Sequence, residues 1–108
     1  MAESEQGEMW WAELPAPHRR RPVLVLTRTE AIPVLTNVTV APLTRSIRGI
    51  PSEVRLDVAD GVPTACAVSL ENILTVPKRT LRRRIASMSE QKMQLVYAAI
   101  RFVFAMPA

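Results

Sequence analysis

Through most of the chain, apolar residues fall in short runs bounded by proline or polar clusters, the pattern expected of short β-strands. Glu8–Leu14 (EMWWAEL) predicts a first strand, in which Trp10 and Trp11 point to opposite faces of a sheet. Pro15 and Pro17 end it, and Ala16–Arg21 forms a short basic connection. Pro22–Thr27 is a continuous branched run rather than an alternating one, which predicts a strand buried on both faces. After an Arg28–Pro33 loop, Val34–Ala41 is rich in Val and Thr and suits a third strand, stopped by Pro42. Leu43–Pro51 reads as a polar, basic loop. Glu53–Val58 alternates, with Val54, Leu56 and Val58 inward and Glu53, Arg55 and Asp57 outward. Asp60-Gly61 marks a turn, and Thr64–Leu70 and Ile73–Val76 suit two more strands. Lys78–Arg84 is a basic cluster expected on an irregular or single-turn helical segment.

The C-terminal segment changes period. Ser87 with Glu90 matches a capping box, and Ser89 is an equally good N-cap, so a helix is expected to follow. Met93, Val96, Tyr97, Ile100 and Phe104 form one apolar stripe; Leu95, Ala99, Phe102 and Met106 form a second on another side. One sheet covers one stripe. A twin subunit is the simplest cover for the second, so a homodimer through Leu95, Ala99, Phe102 and Met106 is expected. The fold class is α+β, mostly β: five or six short strands in a small twisted antiparallel barrel, with a helix packed on it. Residues 1–6 are expected to form a flexible leader and residues 7–108 a single domain.

Charge narrows the partners. Glu3, Glu5, Glu8 and Glu13 put −4 on the first 13 residues, leaving +8 on the other 95. So basic a body attracts polyanions, with nucleic acid the first candidate. No apolar run approaches the ~20 residues of a membrane span, and the acidic N-terminus does not look like a signal peptide. No membrane association is expected, and the cytoplasm is the expected compartment. The single cysteine, Cys66, forms no disulfide within one chain and reads as a small buried residue. With one histidine, His18, a two-histidine acid/base mechanism is impossible within one chain. No His, Cys, Asp or Glu group has metal-ligand spacing, and no Gly-rich phosphate loop is present, so no metal or other cofactor is expected.

Five motifs, in order, carry a family resemblance. Gly7–Leu14 (GEMWWAEL) is followed by Arg21–Thr27 (RPVLVLT), Val40–Thr44 (VAPLT), Pro51–Leu56 (PSEVRL) and Leu70–Val76 (LENILTV). Together with a final helix at Leu95–Phe104, they resemble the MazF/PemK-type toxins, the ribonuclease halves of type II toxin–antitoxin pairs. The resemblance implies an SH3-like barrel of the CcdB/PemK type, a homodimer and a cognate antitoxin. It also implies a metal-independent, sequence-specific endoribonuclease that cleaves single-stranded RNA, in messenger, ribosomal or transfer RNA, and so inhibits translation and growth. The arginine of the Arg-Pro motif and the threonine of the Pro-x-Thr motif are catalytic in that family, which maps onto Arg21 and Thr44.

The chemistry of those two residue types suits RNA cleavage. When a ribose 2′-hydroxyl attacks the adjacent phosphorus, charge gathers on the non-bridging oxygens. A guanidinium can stabilise that charge with two parallel N–H bonds, and a threonine hydroxyl can add another. Arg19, Arg20, Arg45, Ser46 and Arg48 are expected to contact RNA, and Trp11 to stack on a base. Arg82, Arg83 and Arg84 either extend the groove or form a solvated basic surface. The segment Thr64–Val68 lacks the Arg-x-Asp pair of some relatives, which leaves the proton-transfer groups open between His18 and Glu13. A non-enzymatic CcdB-like interaction toxin, or an RNA- or antitoxin-binding module on the same fold, is the alternative reading.

Overall fold

The computed structural model describes residues 3–17 and 19–107. They form β1 (Glu8–Glu13), β2 (Arg20–Val25), β3 (Asn37–Thr44), β4 (Glu53–Leu56), β5 (Cys66–Ser69), β6 (Leu74–Pro77), β7 (Leu81–Ser87) and α1 (Glu90–Val103). The strands run antiparallel in the order β4-β5-β3-β2-β1-β7, with β6 joined to β3. The mostly-β class with a C-terminal helix is as expected.

β3 organises the sheet. One of its edges pairs with β2, while the other pairs first with β6 over Asn37–Val40 and then with β5 over Leu43–Thr44. Contrary to the expectation from sequence, Pro42 does not stop the strand. It sits at the changeover, registered with neither β6 nor β5, where a missing N–H is tolerated. The strand therefore begins and ends later than Val34–Ala41, and Val34 closes a 3₁₀ turn over Thr29–Val34 instead.

Both faces of the sheet are covered. Leu24, Ala41, Leu43, Val54, Leu56 and Val68 face α1, whose Met93, Val96 and Ala99 complete one core. Val23, Val25, Val38, Val40 and Val76 build a second core with Trp10 and Ile32. The branched run in β2 thus serves two cores, which is why it does not alternate.

Several local expectations are corrected. Lys78–Arg84 begins with the expected single helical turn, a 3₁₀ turn over Lys78–Thr80, but from Leu81 it is strand β7, which pairs with β1 through two register shifts. Those bulges break the period-2 pattern that would have revealed the strand. Val58 is exposed rather than inward, because Asp57 caps a 3₁₀ turn by accepting from the Ala59 N–H at 2.9 Å. Gly61 follows at φ +95°, and a Cβ there would lie 2.6 Å from that of Ala86 on β7. Ser89, not Ser87, caps α1, accepting from the Lys92 N–H at 3.2 Å. Ala99 is buried under the sheet and unavailable as an interface residue, whereas Phe104, expected inward, lies beyond the last helical turn and is exposed. Within the expected leader, Glu3 pairs with Lys78 at 3.3 Å, and Gln6 donates to the Leu26 carbonyl at 2.9 Å.

Candidate active site

Arg21 and Thr44 come together through the sheet register. β2 pairs Val23 with Pro42, and continuing that register by two residues sets Arg21 across from Thr44. On its other side Arg21 is registered with Ala12 of β1, and Thr44 with Ala67 of β5. Both residues are half-buried near the strand ends, each registered with one neighbouring strand.

Two concavities meet there. The first, of about 160 Å³, is lined by Pro42, Arg48, Glu53, Ser69 and Glu71 together with Arg21, Thr44 and Ser46. On β2, β3, β4 and β5 these are the positions whose pleat points away from α1. The second, of about 550 Å³, includes Trp11, Arg20, Pro22, Leu43 and Cys66, on the opposite pleat, and again Arg21, Thr44 and Ser46. The shared residues form the rim over which one concavity passes into the other.

The rim is organised by short local bonds. The Thr44 hydroxyl accepts from the Ser46 N–H at 3.1 Å, which commits a lone pair to the loop and leaves its own O–H able to donate. The Glu53 Oε1 accepts from the Arg48 and Gly49 N–H groups at 2.9 and 3.1 Å. That latch fixes the loop after β3, and Gly49, at φ +68°, supplies its turn. Asn72 donates to the Ser69 Oγ at 2.8 Å across the first concavity's wall. The Arg20 guanidinium lies 5.3 Å from the Trp11 ring centroid, a cation–π pair that stiffens the second.

Among the described residues the ion pairs engage Lys78, Arg84 and Lys92, and none involves Arg20, Arg21, Arg45 or Arg48. The second concavity is therefore lined by Arg20, Arg21 and Arg45 with no carboxylate, whereas the first sets Arg21 and Arg48 among Glu53 and Glu71. No group of three His, Cys, Asp or Glu side chains that would hold a metal is gathered among the described residues. Burial pushes the Cys66 thiol above its ordinary value, and the Asp60 charge adds to the shift, so the thiolate is disfavoured.

Of the residues singled out in the sequence, Arg21, Thr44, Arg20, Arg45, Ser46, Arg48 and Trp11 line these concavities. Arg19 lies in the β1–β2 turn at φ +53° and lines neither, and nor does Glu13, which is exposed at the end of β1. His18 lies outside the described residues. Glu53, Glu71 and Asn72 were not singled out, although Glu53 was read as outward and the outward face proved to be the wall of the first concavity.

Comparison with known proteins decides the family. Residues 5–104 match the model of the PemK-like, MazF-like toxins of type II toxin–antitoxin systems. The chain belongs to this family. It is 40% identical over 96 residues to the probable endoribonuclease MazF5 of Mycobacterium tuberculosis, covering 88% of this chain and 87% of that one. The solved toxin MazF-mt6 of Mycobacterium tuberculosis superposes with a TM-score of 0.87 at 36% identity, covering 94% of this chain and 99% of the other. A mycobacterial endoribonuclease in complex with its cognate antitoxin shares the fold, with a TM-score of 0.86 at 19% identity over 97% of this chain and 98% of the other. The sheet and terminal helix of this MazF-like toxin are thus those of the CcdB/PemK-type fold.

Proposed function

We propose that this MazF-like toxin is an endoribonuclease that cuts single-stranded RNA at a phosphate held between Arg21 and Thr44, without a metal ion. The observation that carries the reading is that Arg21 and Thr44 together line both concavities, on the rim between a mixed-charge one and a cationic one. A strand of RNA crossing the rim leaves one nucleotide on each side and its linking phosphate over the pair.

The ribose 2′-hydroxyl loses its proton and attacks the phosphorus, the bond to the 5′-oxygen breaks, that oxygen takes a proton from water, and the products are a 2′,3′-cyclic phosphate and a 5′-hydroxyl. Negative charge grows on the non-bridging oxygens in the transition state. Arg21 meets it with parallel N–H bonds and Thr44 with its free O–H. The scaffold fixes both donors before substrate arrives, so little reorganisation is needed. Proton acceptance we assign to Glu71. It lines the wall facing the pair, and no hydrogen bond engages its carboxylate among the described residues, whereas Glu53 is held by its latch. Arg45 and Arg48 hold flanking phosphates, Ser46 adds a polar contact, and Trp11 with the Arg20 guanidinium over it offers a stacking face.

In this reading the enzyme is a homodimer. Leu95, Phe102 and Met106 are each about half exposed or more on α1 and the residues that follow, an apolar face that a second copy covers. A cognate antitoxin silences it by laying a short acidic segment across the cationic second concavity. Cleavage acts in the cytoplasm on a preferred sequence and stops translation and growth. Incubation with single-stranded RNA in EDTA tests the chemistry. Fragments ending in cyclic phosphate and 5′-hydroxyl are expected, and intact RNA contradicts it.

A further inference from the structure

A third concavity, of about 410 Å³, opens beyond the second and shares Trp11, Val62 and Pro63 with it. Its far wall is β7, through Arg83, Arg84 and Ile85, and its floor includes Val58 and Gly61. The three concavities therefore form one track. The first joins the second through Arg21, Thr44 and Ser46, and the second joins the third through Trp11.

The residues along the outer part of the track match the chemistry of an unpaired nucleotide. Trp11 on β1 is registered with Pro22 of β2 on one side and Arg83 of β7 on the other, so the three side chains share one face of the sheet. Arg20, two residues before Pro22, lies on the same face and covers the Trp11 ring. The two arginines on the far wall differ in availability. Arg84 donates to Glu8 at 3.0 Å and to the Ser87 hydroxyl at 2.6 Å, whereas no carboxylate pairs with Arg83 among the described residues. The floor is held in place, because Gly61 packs against Ala86 too closely for any side chain and Lys92 pairs with the neighbouring Asp60 at 3.6 Å.

We propose that the third concavity is a nucleotide subsite: RNA crossing Arg21 and Thr44 continues past Trp11, stacks an unpaired base on the Trp11–Arg20 pair and seats a phosphate beside Arg83. This rests on the endoribonuclease reading and extends it. Stacking on an aromatic ring or a guanidinium plane tolerates any base, and Arg83 contacts backbone alone. The subsite therefore lengthens the footprint without adding to sequence preference.

The test uses the intact protein and a fully 2′-O-methylated heptanucleotide, which cannot be cleaved, centred on a sequence that the protein cuts. Its binding is expected to quench tryptophan emission in the wild type, and the quench is expected to vanish in Trp11→Phe. Arg83→Ala is expected to weaken binding about tenfold and to reduce the slope of log affinity against log salt by about 0.7. Arg101→Ala, on α1 and outside all three concavities, is expected to change neither. Circular dichroism establishes that the variants fold. Unchanged binding and slope in Arg83→Ala, with no Trp11-dependent quench, overturns the subsite while leaving the cleavage reading standing. Failure of the wild type both to cut RNA and to bind the analogue overturns both. If Arg83→Ala weakens an acidic decapeptide but not the oligonucleotide, the concavity belongs to a protein partner and the proposal is overturned.

Discussion

Arg21 near the start of β2 and Thr44 at the end of β3 each lie two residues beyond the paired Val23 and Pro42, and together they line both concavities. The two residues are far apart in sequence and belong to different motifs, yet two paired strands set their spacing, and neither depends on a loop for its position. Sites carried on strands hold their geometry better than sites carried on loops. Thr44 is further tied by the Ser46 N–H, which turns the hydroxyl into an oriented donor.

The Thr44 hydroxyl, rather than its methyl, is expected to matter. Thr44→Val preserves shape and removes the donor, so kcat should fall by about 10²-fold or more. Thr44→Ser keeps the donor and the bond from Ser46, and should stay within about tenfold of wild type. Steady-state cleavage of a short RNA measures both, and equal losses would contradict the assignment.

Glu71→Gln removes a base without changing shape. We expect kcat to drop while KM changes little, because the proton acceptor is gone and the binding contacts are kept. A wild-type kcat in the variant would exclude Glu71 from proton transfer.

The Glu53 latch predicts a different signature. Glu53→Ala frees the Arg48 and Gly49 N–H groups and loosens the loop that carries Arg48. KM should rise several-fold with a smaller change in kcat, and stability should fall by about 1 kcal/mol, the low end for bonds to a charged acceptor because the site is exposed. Chemical denaturation and steady-state kinetics separate the two effects.

Cys66 gives a pH dependence. Its folded pKa is raised, chiefly by burial, so the unfolded chain ionises first. The contribution to stability is fully present below the unfolded thiol value and is lost as pH rises above about 8.5. Melting temperature should therefore fall more steeply in that range for the wild type than for Cys66→Ala, and parallel curves would contradict the shift.

The apolar face of α1 sets the expected assembly. Leu95→Glu with Phe102→Glu puts charge on exposed positions, so the monomer fold survives while the dimer dissociates. Sedimentation of wild type and double variant at micromolar concentration reads this directly. A monomeric wild type would remove the homodimer from the account.

Much of this architecture was legible because the residues announce their surroundings. Val23–Val25 is branched without alternation since both cores claim it, and Glu53–Leu56 alternates because only one face of β4 is buried. β7 stayed hidden for the opposite reason: two bulges disrupt its period, and three consecutive arginines resemble a solvated loop. The ends of β3 were obscured by Pro42, whose tolerance depends on a changeover between β6 and β5 that is visible only in three dimensions. In the site, Arg21 and Thr44 were readable from their motifs. Glu71 and Asn72 were not, since their role comes from which wall the turn after β5 presents, and no local spacing encodes that. Ala99 shows the limit of reading a helix by stripes, because a small residue between two faces goes to whichever core is nearer.

The central claim is that Arg21 stabilises charge on a phosphate in the transition state. Single-turnover cleavage of one RNA oligonucleotide, in EDTA, by folded wild-type and Arg21→Ala protein measures it most directly. Loss of one preorganised donor predicts a rate lower by about 10²–10³-fold, with Arg21→Lys recovering only part of it. Equal rates for the wild type and Arg21→Ala would contradict the account.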